Sequence, residues 1–127
     1  DCWRHLWCGS SGCARAIRRR RQRDPDFGPG GGERLQAFYE RCVRTASHLA
    51  QQHPGQAIAL VAHGGVLDCL YRAALGLALQ VPRSWPVANA AINRLLWTPQ
   101  GLSMVSWHDA AHLEGVAGDE PPPADTP

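Results

Sequence analysis

Ala57-Ile58-Ala59-Leu60-Val61-Ala62-His63-Gly64-Gly65-Val66-Leu67 runs from an unbroken apolar stretch into a histidine and two glycines, then back into apolar residues. An apolar run without alternation is the pattern of a strand covered on both faces, as in a parallel sheet. The glycines mark a turn, and Val66, Leu67, Cys69, Leu70, Ala73, Ala74 and Leu75 recur at helical steps up to Gly76, so a helix is expected to follow the turn directly. Open α/β sheets place their ligands where a strand ends and a helix begins. Free N–H groups at the helix start favour an anion, the glycines let it approach the backbone, and the His63 imidazole can donate to it. A histidine that merely closes the strand end, with glycines serving the turn, fits the same spacing equally well.

Upstream, Leu35, Phe38, Cys42, Val43, Ala46, Leu49 and Ala50 form the apolar stripe of an amphipathic helix that His53-Pro54-Gly55 stops. It is entered through a loop, Asp24-Pro25-Asp26-Phe27-Gly28-Pro29-Gly30-Gly31-Gly32, made of turn-forming residues. Downstream, Pro82 and Pro86 enforce irregular chain. Ala91 to Trp97 and Leu102 to Trp107 then flank Thr98-Pro99-Gln100-Gly101 as a hairpin. Helix, buried strand, glycine turn and helix in that order define an α/β layered domain.

The ends differ from this middle. Residues 1–23, DCWRHLWCGSSGCARAIRRRRQR, are rich in Arg, Cys and Trp without helical or alternating periodicity, and read as an out-of-frame translation or a disordered segment. Residues 116–127 form a proline-rich tail without an apolar face, expected to be disordered. The domain is therefore expected over 24–115.

At 127 residues and 44% hydrophobic, the chain has material for one core. A net charge of +2 from 13 basic and 11 acidic residues does not point to nucleic acid or an anionic membrane. The run Arg18 to Arg21 lacks the interleaved aromatics of a nucleic-acid arm and reads as solvated sequence. No apolar run approaches the roughly 20 residues of a membrane span. The five cysteines, Cys2, Cys8, Cys13, Cys42 and Cys69, form no C-x-x-C pair, so reduced thiols, a cytoplasmic location and no metal site are expected. A cluster of Cys2, His5, Cys8 and Cys13 matches no closed zinc site.

Pro29-Gly30-Gly31-Gly32-Glu33 before the first helix, His53-Pro54-Gly55, the strand into His63-Gly64-Gly65-Val66-Leu67, Asn89-Ala90-Ala91-Ile92-Asn93-Arg94, and Trp107-His108-Asp109-Ala110-Ala111-His112-Leu113 together resemble the C-terminal half of the histidine phosphatase superfamily, the phosphoglycerate mutase-like enzymes. The resemblance implies a three-layer α/β/α fold, incomplete here. It implies phosphoryl transfer through a phosphohistidine on a small phosphorylated metabolite, with no cofactor. His63 matches the family's second histidine, which holds the transferring phosphoryl group, with Gly64 beside it. Glu33 matches an acidic position near the phosphate pocket, although its place also suits the positive end of the helix dipole. Asn89 matches an asparagine before the next strand, and a local turn role fits it equally.

The family's nucleophile lies in Arg-His-Gly after a first strand, and no such motif follows a strand here. Arg4-His5-Leu6 lacks both the glycine and the strand. The chain is thus expected to be an inactive fragment of a phosphatase, the short Pro-Gly-Gly region resembling phosphatases more than mutases. A non-catalytic remnant that binds a phospho-ligand or a partner is the alternative. Without the first strand, the run 57–62 should keep a bare edge and uncovered apolar faces, and the chain should be marginally stable or aggregate. Substrate identity and oligomeric state are not legible in the sequence.

Overall fold

The computed structural model describes residues 18–19 and 22–115. The readings placed on residues 1–17, 20–21 and 116–127, including Cys2, His5, Cys8 and Cys13, lie outside the described residues. Two helices, α1 (Leu35–Gln52) and α2 (Gly64–Leu75), precede an antiparallel pair of strands, β1 (Ile92–Thr98) and β2 (Gly101–Asp109). A short helical turn, Ala111–Leu113, follows. Among the described residues this is an incomplete α/β fold.

Both helices form where the apolar period places them. α1 buries Cys42 and Ala46, and α2 buries Asp68, Cys69, Leu70 and Arg72. α2 ends at Gly76, whose φ of 66° is left-handed and whose N–H donates to the Arg72 carbonyl, the conformation glycine adopts without a Cβ clash. In the hairpin, Leu95 opposes Met104 and Trp97 opposes Leu102 on a half-buried face. Leu96 and Val105 stand exposed on the other. The register shifts between Ile92 and Leu95, and there the Asn93 side-chain oxygen accepts from the His108 N–H at 2.9 Å. Tyr71 of α2 stacks on Trp85 and meets Trp107 of β2 edge-on, at centroid distances of 4.3 and 4.8 Å, joining helix to sheet.

The core is small and has an ion cluster at its centre. Asp68 is 3% exposed and Arg72 0%. The Asp68 carboxylate accepts from Arg72 Nε at 2.9 Å, Arg23 Nη2 at 2.7 Å and the Trp85 indole N–H at 3.1 Å. Arg72 Nη1 donates to the carbonyls of Ala78, Leu79 and Val81, and Arg23 Nε to that of Leu79. The Arg72 guanidinium also lies over the Trp85 ring, 4.7 Å from its centroid. One aspartate thus holds α2, the irregular segment after it and Arg23 together. Arg72 Nη2 is left without a hydrogen-bond partner among the described residues, a cost the ring face and the other bonds must offset.

The strand expected over Ala57–Ala62 is the point of correction. These residues belong to no ladder among the described residues, and Ile58, Leu60 and Val61 are 39%, 46% and 102% exposed. A parallel strand takes its hydrogen bonds from neighbours remote in sequence, and none stands beside it among the described residues. Among the described residues its apolar side chains are left uncovered.

Three outcomes follow for stability. Asp68→Ala leaves two arginines facing a buried gap and should lower the urea midpoint by the equivalent of about 3 kcal/mol. Glu33→Ala, at an exposed pair, should leave the midpoint within error. Cys42 and Cys69 are buried free thiols, and burial pushes Cys69 from 9.0 up to about 12. The unfolded thiol loses its proton first, so the Cys69 contribution is complete below pH 9 and is lost as the pH rises toward 12. Urea midpoints measured across that range should fall less steeply in Cys69→Ala.

Candidate functional site

An open cleft of about 1180 Å³ runs between the unpaired stretch 57–62 and β1, with the start of α2 at one end. His63 is the residue before the first turn of α2, with φ −92° and ψ 166° and no side-chain capping bond. Its carbonyl accepts from the N–H groups of Val66 and Leu67, both at 3.1 Å. The imidazole is thereby left exposed on the cleft wall, and the N–H groups of Gly64 and Gly65 lie ahead of the first intrahelical bond. Both glycines keep the helix entry close to its neighbours. A Cβ on Gly64 would sit 3.4 Å from Val87 Cγ1, and one on Gly65 would sit 3.6 Å from the Phe38 ring. The imidazole, the free helix N–H groups and the positive end of the helix dipole are groups of the kind that anions accept hydrogen bonds from.

Asn89 lies on the opposite wall, exposed in the turn before β1, next to Ala90 at φ 58°. The His112 ring nitrogen Nε2 is 2.8 Å from the Ala90 carbonyl and ties this turn to the segment after β2. His63, Gly64 and Asn89 therefore share one cleft. Glu33 does not. It lines a smaller pocket with Arg19, Arg23, Asp24, Phe27 and Arg83, and Arg41 Nε and Nη2 donate to its two oxygens at 2.9 Å each. That bidentate bond holds the Glu33 carboxyl below the usual carboxylate range.

Arg94 is a cleft residue that sequence reasoning did not single out, although it closes the Asn89–Arg94 motif. It is the arginine of the lining, and its Nη1 donates to Asp109 across the strands at 2.7 Å. That bond, followed by the Ala111 N–H, holds the Asp109 carboxyl low. His63 is the one histidine among the described lining residues. Among the described residues no group of His, Cys, Asp or Glu is arranged to hold a metal ion, and no helix is long and apolar enough to cross a membrane.

His63 lies within the region matched by the comparisons with known proteins. The model of the histidine phosphatase superfamily (branch 1) matches residues 11–110. Phosphoglycerate mutase-like protein 4 of Arabidopsis thaliana is 37% identical over 87 residues, 68% of this chain and 36% of that protein. The metal-independent phosphoserine phosphatase of the same plant is 31% identical over 88 residues, 69% of this chain and 35% of that protein. No solved structure matches. The chain belongs to the histidine phosphatase superfamily, and it spans about a third of the length of these curated relatives.

The Glu33 pairing is open to direct titration. Its carboxyl should titrate below the ordinary glutamate midpoint by carbon-detected NMR, and Arg41→Ala should bring it back up. An unchanged midpoint in the variant would show that the pair does not persist in solution.

Proposed function

We propose that this chain supplies the phosphate-holding side of a phosphoryl-transfer site acting on a small phosphorylated metabolite. The observation that carries it is the exposed His63 imidazole beside the unbonded N–H groups of Gly64 and Gly65, in one cleft with Asn89. In the complete domain a second histidine attacks phosphorus, the leaving alkoxide takes a proton from a carboxylic acid, and water then cleaves the phosphohistidine. His63 and the helix start neutralise the phosphoryl oxygens while this happens. No metal or organic cofactor takes part, a reading supported by the name of one relative, a metal-independent phosphoserine phosphatase. Hydrolysis is favoured over mutase chemistry on the short Pro-Gly-Gly entry to α1. Cysteine usage supports the cytoplasm as the compartment.

The 24–115 domain by itself is an inactive fragment in this reading, because the cleft offers one histidine and its arginine is already paired with Asp109. The same observation favours a second reading for the isolated chain, a phospho-ligand-binding remnant without turnover. Glu33, occupied by Arg41 and outside the cleft, serves the helix entry.

Titration with inorganic phosphate at constant ionic strength, followed by NMR, separates these from a purely structural histidine. Phosphate should shift the Gly64 and Gly65 amides, and His63→Ala should abolish the amide shifts. Hydrolysis of p-nitrophenyl phosphate by the chain should be absent. Amide shifts confined to Arg19 and Arg83, or none at all, would remove the phosphate-holding assignment, and His63-dependent turnover would overturn the inactive-fragment reading.

A further inference from the structure

We infer that His112 is a positioning residue for the cleft: acting through the Ala90 carbonyl, it fixes the turn that carries Asn89. What the Asn89 wall binds rests on the phosphate-holding reading, whereas the geometry of the turn does not. His112 is outside the cleft lining and just beyond the residues that the family model matches, so its effect passes through the backbone. The segment entering β1 has no ladder to hold it. Residues 86–91 lie outside both strands, and Ale90 stands at φ 58°, a left-handed conformation that costs a residue bearing a Cβ. Such an outlier persists only where its surroundings over-determine it. Bonds from β2 and the turn after it do so here: the Trp107 indole N–H donates to the Pro86 carbonyl at 2.7 Å, His112 Nε2 to the Ala90 carbonyl at 2.8 Å, and the His108 N–H to Asn93 Oδ1 at 2.9 Å.

Of these bonds, the one from His112 acts on the left-handed residue itself. A carbonyl oxygen only accepts, so the bond requires the proton on Nε2. His112 is aimed in turn from the cleft. Asp109 Oδ2 accepts from Arg94 Nη1 at 2.7 Å and Asp109 Oδ1 from the Ala111 N–H at 3.3 Å, and the turn Ala111–Leu113 closes with the Leu113 N–H donating to the Ala110 carbonyl at 2.9 Å. Arg94 and Ala90 both line the cleft, so this chain of bonds leaves the cleft at one wall residue and returns to it at another. Asn89 precedes Ala90 in the chain and moves with it. The His112 bond lies at the surface, so its loss should displace the turn and leave global stability within error.

NMR on the full 127-residue chain tests this. In the wild type, the Ala90 Cα and Cβ shifts should report the left-handed conformation, and the imidazole nitrogen shifts should place the His112 proton on Nε2. His112→Ala should move Ala90 out of that conformation with the urea midpoint unchanged, and His112→Gln, whose side-chain amide nitrogen reaches the place of Nε2, should restore it. Inorganic phosphate is the second probe. Where it shifts Gly64 and Gly65 in the wild type, His112→Ala should weaken its binding about fivefold, the equivalent of one hydrogen bond, and His112→Gln should recover the loss. Ala90 unmoved in His112→Ala, displaced and not restored in His112→Gln, or phosphate binding equal in wild type and His112→Ala, would overturn the inference. A urea midpoint lowered in both variants would also overturn it, giving His112 a purely structural part. If phosphate shifts nothing in the wild type, the phosphate-holding reading falls by itself and the Ala90 shifts alone decide on His112.

Discussion

The Asp68 carboxylate is the interaction on which the described structure depends. Its two oxygens hold Arg72 within α2, Arg23 from before α1, and the Trp85 indole from the segment that leads to the sheet. Burying one anion against two guanidinium groups is costly, and the return comes only when every donor is aimed, as the carbonyls of Ala78, Leu79 and Val81 aim Arg72. Few apolar side chains are fully buried here, so this cluster takes the organising part that a larger apolar core plays elsewhere.

From that cluster the position of the candidate site follows. α2 is fixed at its middle by Asp68 and Arg72, is pinned to β2 through Tyr71 and Trp107, and presents its opposite end, His63-Gly64-Gly65, to the cleft. His63, Gly64 and Gly65 thus sit at the end of a helix held from behind. What lies in front of them is unsupported sequence. The stretch 57–62 has the hydrophobicity of an interior strand and, among the described residues, the exposure of a loop.

Sequence patterning was enough for both helices and the hairpin because each is stabilised by contacts within its own period. Gly76 and His53-Pro54-Gly55 stop the helices by local backbone chemistry, and Thr98-Pro99-Gln100-Gly101 turns the hairpin in the same way. The strand 57–62 was legible as a preference and not as a structure, since its ladder depends on residues remote in the chain. The placement of His63, Gly64 and Asn89 in one cleft was legible from the motif order, whereas Glu33 was drawn elsewhere by Arg41, eight residues along the chain. The ion cluster left no periodic trace: Asp68 and Arg72 lie off the apolar stripe that marks their helix, and Arg23 lies in the atypical arginine-rich segment. Arg94 stood in the Asn89–Arg94 motif without a role of its own.

Exchange of the Trp85 indole proton with solvent measures the central cluster without perturbing it. With the resonance assigned by Trp85→Phe, that proton should exchange far more slowly than a free indole, in step with the Arg72 Nε proton, because both are bonded to the buried Asp68 carboxylate. A Trp85 indole exchanging at the free rate would mean that the cluster does not form in solution, and that α2 and His63 are not held as described.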